Sequence, residues 1–457
     1  MLIPSPIIIR KSIKPYIPYG LCSLQAVSVK HSAEVDVLQV NDNGTYLENS
    51  REVVDFMLDR VHLEDYDVVG ISTAINGFHH VLNIAQSIKE RMPKTRVWLG
   101  GPHASVLGET ILKASRDIDA IFIGEGEAIF SEILEHQIKK SYDNHAIENI
   151  HGIMTRKNEY FPRKPIDNLD CLPMINLSNR YLDDLNNNHN FGTKKEAPLE
   201  VTRGCPGFCG FCSTRLYWGQ KVRRKSFNRI ISEMQQISKL TNRRDFSLIG
   251  DNFGFPRQNL EDFCKKMIAA NPGFNWGCSL RLNDLEPEDL SMLWAAGCRG
   301  FFTGIESGSE KTQKHIGKNI RLDHAQTIID KAIDIGFDVE TSFIIGFPWE
   351  TLDDINLTYK MHCHMLKAGV TRSDIHVLIP LNGTPLSNKY KVKFETNSYV
   401  PHDWMDFIPL DDTTLSLFSQ FPEMFLQFGY FENSKLNRLD LLATNDAARN
   451  IKSLYLD

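Results

Sequence analysis

This chain of 457 residues contains no stretch that approaches the ~18 consecutive apolar residues needed to span a membrane, which argues against an integral membrane protein. It also has no basic block. With a net charge of −6 it offers no electrostatic footprint for nucleic acid. The opening segment "MLIPSPIIIRKSIKPYIPYG" has a short apolar run but no small-residue cleavage site, so no secretory signal is expected. Nine cysteines are present, and those at 22, 171, 264, 278, 298 and 363 are scattered singly. That scatter excludes a secreted disulfide framework and suits a reducing cytoplasm. No internal repeat or low-complexity tract is found. An apolar fraction of 42% and a charged fraction of 24% are those of an ordinary globular protein, long enough for two or three domains.

What is present is two successive α/β patterns. Over residues 1–140, short apolar runs at 6–10, 35–40, 67–73, 96–101 and 119–126 alternate with helix-period segments such as "NIAQSIKERM" (83–92). Near-continuous apolar strands joined this way predict a parallel sheet covered on both faces, here a doubly wound, flavodoxin-like (Rossmann-type) domain. Ligands of such sheets bind outside the carboxyl ends of the strands. Those ends carry "STAING" (72–77), "GGPHAS" (100–105) and "GEGE" (124–127), three polar or glycine-rich turns on one rim. Residues 141–195 read as a linker. From 196 to 382 a second series predicts strands at 199–204, 246–252, 276–282, 300–307, 339–348 and 374–381, enough for an open, partial (β/α)6 barrel. The aromatic-rich remainder, 383–457, is expected to cap that barrel or shape a substrate pocket.

The loop after the first barrel strand, "VTRGCPGFCGFCSTRLYWG", holds Cys205, Cys209 and Cys212 with no fourth cysteine near. Structural zinc takes four ligands, usually as two spaced pairs. The remaining cysteines are single, and "MHCHM" (361–365), which could supply a Cys or His, lies about 150 residues on in a helical pattern. Three thiolates also suit an iron–sulfur cluster that keeps one iron open to a small molecule.

C-x3-C-x2-C after the first strand of a six-unit barrel, with Phe211 before the last cysteine, resembles the radical S-adenosylmethionine superfamily. The resemblance implies a [4Fe–4S] cluster on Cys205, Cys209 and Cys212 whose open iron chelates S-adenosylmethionine. The cluster's electron then cleaves that molecule to a 5′-deoxyadenosyl radical. It places Asp251 and Asn252 of "IGDNF" at the methionine amino group, although this segment departs from the family's commonest second-strand motif. Arg281 is assigned to the methionine carboxylate, Glu306 of "GIESGS" to the ribose, and Ser342 begins the "SFIIGFPWET" segment that lines adenine. Arg223 and Arg224 in "KVRRKS" read as a solvated surface.

A doubly wound domain ahead of such a barrel is similar to the cobalamin-binding class of these enzymes. That implies cobalamin on a rim of Ser72, Thr73, Gly100, Gly101, Gly124 and Gly126, where bare glycines allow close approach. The D-x-H-x-x-G motif is absent, and His79, His80 and His103 lack its context, so cobalt is expected without a histidine beneath it. The implied reaction is methyl transfer to an unactivated carbon, from cobalamin to a peptide or small-metabolite radical. A low-potential donor such as flavodoxin or ferredoxin would supply electrons. The alternatives are a relative that rearranges, cyclises or oxidises its substrate, and a cobalamin- or redox-sensing module. A methylthiotransferase would need three further cysteines in the first domain, where only Cys22 occurs.

Overall fold

The computed structural model describes residues 1–3, 8–9, 12–13, 18–31, 33–38, 49–59, 62, 65–74, 77–139, 145–175, 196–396, 410–432, 436 and 441. The chain divides into two compact units. One comprises Met1–Asn187, Leu216–Trp218 and Phe394–Gly429; the other comprises Asn188–Arg215, Gly219–Lys393 and Tyr430–Asp457.

The first unit is built on a sheet of β1 (Leu2–Ile3), β2 (Val68–Ser72), β3 (Arg96–Gly100), β4 (Ala120–Phe122) and β5 (Ile153–Met154), hydrogen-bonded in that order. β1 to β4 run parallel and β5 antiparallel. Two of the expected strands are corrected. Ile8–Ile9 pairs with Ser12–Ile13 in a hairpin outside the sheet, and the sheet's first strand is Leu2–Ile3, just before Pro4, which has no N–H to give a ladder. The 35–40 run contributes one parallel bridge, Leu2 to Val37, with Leu2 N donating to Asp36 O at 2.7 Å. That bridge still puts the segment beside β1, on the side away from β2, which is the flavodoxin-like order. β5 comes from residues read as linker.

Helices α1 (Tyr19–Val29), α2 (Phe78–Arg91), α3 (Pro102–Ala114) and α4 (Gly126–Lys139) belong to this unit. Phe78, Val81, Leu82, Ile84, Ala85 and Ile88 recur at helical spacing along α2 and are buried in one core with Val69, Ile71, Val97 and Leu99 of the sheet. Each fully buried side chain of this size stabilises the fold by roughly 1.5–3 kcal/mol. Phe418, Met424, Phe425 and Phe428 join the same core. The aromatic tail is therefore divided between the units: of its described residues, 394–396 and 410–429 belong to the first and 430–432, 436 and 441 to the second. Aromatic content says that a segment is buried, not which core receives it.

The second unit contains six parallel strands: β6 (Ala197–Glu200), β7 (Asp245–Ile249), β8 (Asn275–Ser279), β9 (Cys298–Glu306), β10 (Asp338–Ile345) and β11 (Arg372–Val377). They are hydrogen-bonded in chain order, with β6 and β11 at the two edges, as an open barrel requires. Each overlaps one of the expected strands, beginning one or two residues earlier, and the cysteines, Asp251 and Arg281 lie in the loops after β6, β7 and β8. Among the described residues no helix is long and apolar enough to cross a membrane.

Candidate active site

The cysteine loop leaves β6 and returns through a short ribbon in which Arg223 and Arg224 pair with Arg203 and Thr202. Both arginines were expected on a solvated surface. Instead Arg223 is buried, and Arg224 is half-buried with its guanidinium donating to Phe255 O. Within the loop, Gly207 has no Cβ between two thiols: one built there would stand 3.3 Å from Cys205 Sγ and 3.8 Å from Cys209 Sγ. Among the described residues no three Cys, His, Asp or Glu donors meet around a single ion. A cluster asks for a different geometry, because each thiolate takes a different iron. Burial pushes the Cys209 thiol up to about 11, against the pull of the Lys318 and Arg281 cations, and it raises Cys205 as well. The residues fit a cluster: three thiols on one loop, a bare glycine between Cys205 and Cys209, and the Lys318 and Arg281 cations near Cys209.

The loops after the next strands close on this one. Asp251, beyond β7, spends its carboxylate on the loop itself, accepting from Gly204 N at 3.1 Å and Thr214 Oγ1 at 3.3 Å. Asn252 is buried; its Nδ2 donates to Asp284 Oδ2 at 2.9 Å, which fixes the amide and leaves Oδ1 with no partner among the described residues. A buried, unfilled acceptor beside the cysteine strand fits an ammonium group. Arg281, after β8, donates through Nη2 to Lys318 O, while its buried Nε has no partner among the described residues. An N–H held in this way suits a carboxylate. Glu306 ends β9 at a φ of +70°, beyond a register shift, and forms an ion pair with Lys318. Non-glycine residues held at such angles are uncommon and collect at functional sites. Ser342 is on β10, in register with Gly304 of β9.

The segment after β10 packs against the cysteine loop through aromatics. Phe211 meets Phe347 edge-on at 5.8 Å, and Phe347 stacks on Trp349 at 5.4 Å. Glu350, which the sequence reading passed over, fastens this turn by accepting from Gly346 N at 2.7 Å and Phe347 N at 3.0 Å. Leu386 and Phe431, from the final region, pack into the same apolar cluster. Lys318 was also missed: its signal, a lysine just past a helix-ending glycine, is common to many surface turns.

In the first unit, Ser72, Thr73, Gly100 and Gly101 come together at the ends of β2 and β3. Thr73 donates to Gly100 O at 2.7 Å from both its amide and its hydroxyl. Ser105 bridges this turn to the next one. Its hydroxyl donates to Gly101 O at 2.8 Å and accepts from Gly124 N at 3.0 Å. Gly124, with a φ of +83°, has nothing within 4 Å of where a Cβ would stand. That open, side-chain-free position fits a large flat ligand. Gly101 and Gly126 are crowded by the protein itself, through Thr73 O at 2.7 Å and Leu24 Cδ2 at 3.2 Å from a built Cβ. His79, His80 and His103 are all buried. His103 pairs with Met424 O at 3.0 Å, and burial holds it down at about 4, so it is a neutral packing residue.

Comparison with known proteins matches residues 199–362 to the Radical SAM superfamily and residues 6–134 to the B12 binding domain. An uncharacterized methyltransferase of Pyrococcus horikoshii is 25% identical over 352 residues, 76% of this chain and 73% of that protein. The cytidylyl-2-hydroxyethylphosphonate methyltransferase of Streptomyces wedmorensis is 26% identical over 426 residues, 81% of this chain and 77% of that protein. The solved structure of the radical S-adenosylmethionine methyltransferase TsrM from Kitasatospora setae, with cobalamin and a [4Fe-4S] cluster bound, superposes with a TM-score of 0.68. It covers 98% of this chain and 90% of its own at 14% identity, a likeness of fold.

Proposed function

We propose that this radical S-adenosylmethionine enzyme, a member of that superfamily with a B12 binding domain ahead of its barrel, methylates an unactivated carbon of a small molecule. The observation that carries the reading is the coexistence in one chain of two sites. One is a three-thiol loop flanked by an empty buried acceptor and an empty guanidinium N–H; the other is a sheet rim open at Gly124. When bound, the cluster supplies the electron that splits S-adenosylmethionine, and cobalamin carries the methyl group.

The chain's own residues bind and orient. Cys205, Cys209 and Cys212 would hold the cluster through their three thiolates. Asn252 Oδ1 accepts from the methionine ammonium, Arg281 binds the carboxylate, and Glu306 accepts from the ribose hydroxyls. The Phe211–Phe347 face gives adenine an apolar wall. Ser72, Thr73, Gly100 and Gly124 form the cobalamin rim. Having both reagents in one chain makes successive steps on a single substrate effectively intramolecular, a large source of rate. None of the nine cysteines is in a disulfide, which suits a reducing cytoplasm, and a flavodoxin or ferredoxin would supply the low-potential electron.

The test is S-adenosylmethionine with a trideuterated methyl group, given to anaerobically reconstituted protein with cobalamin, a low-potential reductant and candidate small molecules. The label should arrive intact in product and only when cobalamin is present. One S-adenosylmethionine should leave as 5′-deoxyadenosine and another as S-adenosylhomocysteine. A product formed with 5′-deoxyadenosine but without label would make this a rearranging or oxidising enzyme.

A further inference from the structure

The turn that follows helix α5 (Glu310–Ile316) is tied to several separate parts of the candidate S-adenosylmethionine site. Ile316 O accepts from Gly210 N of the cysteine loop at 2.8 Å. Gly317, with a φ of +72°, lies so close that a Cβ would stand 2.9 Å from Phe208 O. Lys318 O accepts from Arg281 Nη2, and Lys318 Nζ pairs with Glu306 Oε1. Asn319 O accepts from Asn283 Nδ2 at 2.6 Å, just beyond Arg281. The ion pair is shielded, with the lysine side chain 13% exposed and the glutamate 8%. Gly304, one strand position before the bulge, leaves it room: a Cβ there would run into both Glu306 Oε1 and Lys318 Nζ.

We propose that Lys318 is a positioning residue of the S-adenosylmethionine site. Its ammonium fixes the Glu306 carboxylate in place for the ribose hydroxyls, while its carbonyl holds the Arg281 guanidinium at a fixed distance from the cysteine loop. The proposal rests on the reading of Glu306 as the ribose contact. An ionised carboxylate accepts from a hydroxyl roughly twice as strongly as a neutral acceptor does. A shielded carboxylate that loses its ion-pair partner turns toward water. Losing the side chain therefore weakens the nucleoside end of the cofactor selectively, because the backbone bond to Arg281 survives.

The test uses full-length protein with its cluster reconstituted anaerobically, as wild type, Lys318→Met, Lys318→Arg and Gly304→Ala. Iron per chain is measured, with equilibrium-dialysis affinities for S-adenosylmethionine and for an analogue lacking both ribose hydroxyls. Lys318→Met should keep wild-type iron and bind S-adenosylmethionine about tenfold more weakly, while binding the analogue within about twofold of wild type. Lys318→Arg should recover most of the loss, and Gly304→Ala should reproduce it. Unchanged affinity in Lys318→Met, or equal losses for both ligands, overturns the proposal and leaves the site assignment standing. Should Lys318→Met lose its iron, Gly304→Ala decides: a selective loss supports the proposal and unaltered binding overturns it. Wild-type protein that holds its cluster and does not bind S-adenosylmethionine removes the site assignment itself.

Discussion

Asp251 accepts a hydrogen bond from the backbone N–H of Gly204 at 3.1 Å, and its other oxygen accepts from Thr214. One carboxylate thus clasps the cysteine loop before its first thiol and after its last. Burial raises the carboxyl's pKa, and those two donors together with Arg223 hold the rise in check. Asp251→Ala should therefore cost the loop about 1–3 kcal/mol and lower iron per chain before any effect on S-adenosylmethionine affinity is visible. Full iron with weakened cofactor binding would return Asp251 to the methionine-contact role expected from the motif.

Asn252 should behave in the opposite way. Its Oδ1 is an acceptor with no partner among the described residues. Asn252→Ala is expected to leave iron content unchanged and to weaken S-adenosylmethionine binding about tenfold. Parallel losses of iron and affinity across a titration would make it scaffold instead.

The rim glycines separate by what surrounds them. Gly101→Ala forces a Cβ to 2.7 Å from Thr73 O at a φ of +98°, so it should destabilise the first unit by about 2 kcal/mol or more, with or without cobalamin. Gly100→Ala meets only Phe122 Cβ at 3.7 Å and should melt like wild type. If Gly100 faces cobalamin, its variant loses cobalamin affinity without losing stability. Optical titration and thermal melting of the two variants, run together, distinguish a ligand wall from a folding requirement.

The buried histidines predict acid sensitivity. Burial holds His79 and His103 at about 4, against an ordinary value of 6.5. Between those values the unfolded imidazoles take up protons that the folded ones refuse, so stability rises with pH through this window and falls as pH drops. At about pH 5.5 each costs roughly 1.2 kcal/mol relative to neutral pH. Urea unfolding of the first unit should show that slope, and His103→Gln should flatten it by one histidine's share. An unchanged slope would mean that His103 is protonated in the fold.

Much of the molecule was legible in its sequence because the signals are local. Six apolar runs at β/α spacing gave the six barrel strands, and C-x3-C-x2-C is complete within eight residues. Turn glycines marked the strand ends because backbone conformations demand them. What tertiary structure alone decided was which group meets which. It turned Asp251 onto Gly204 rather than outward, set Gly126 against Leu24, buried Arg223, and divided the aromatic tail so that Phe425 lies in the first unit's core. It also joined Lys318 to both Arg281 and Glu306. A residue's type and period state that it will be buried or charged. Its partner is fixed by where distant strands end in space, and no local pattern carries that distance.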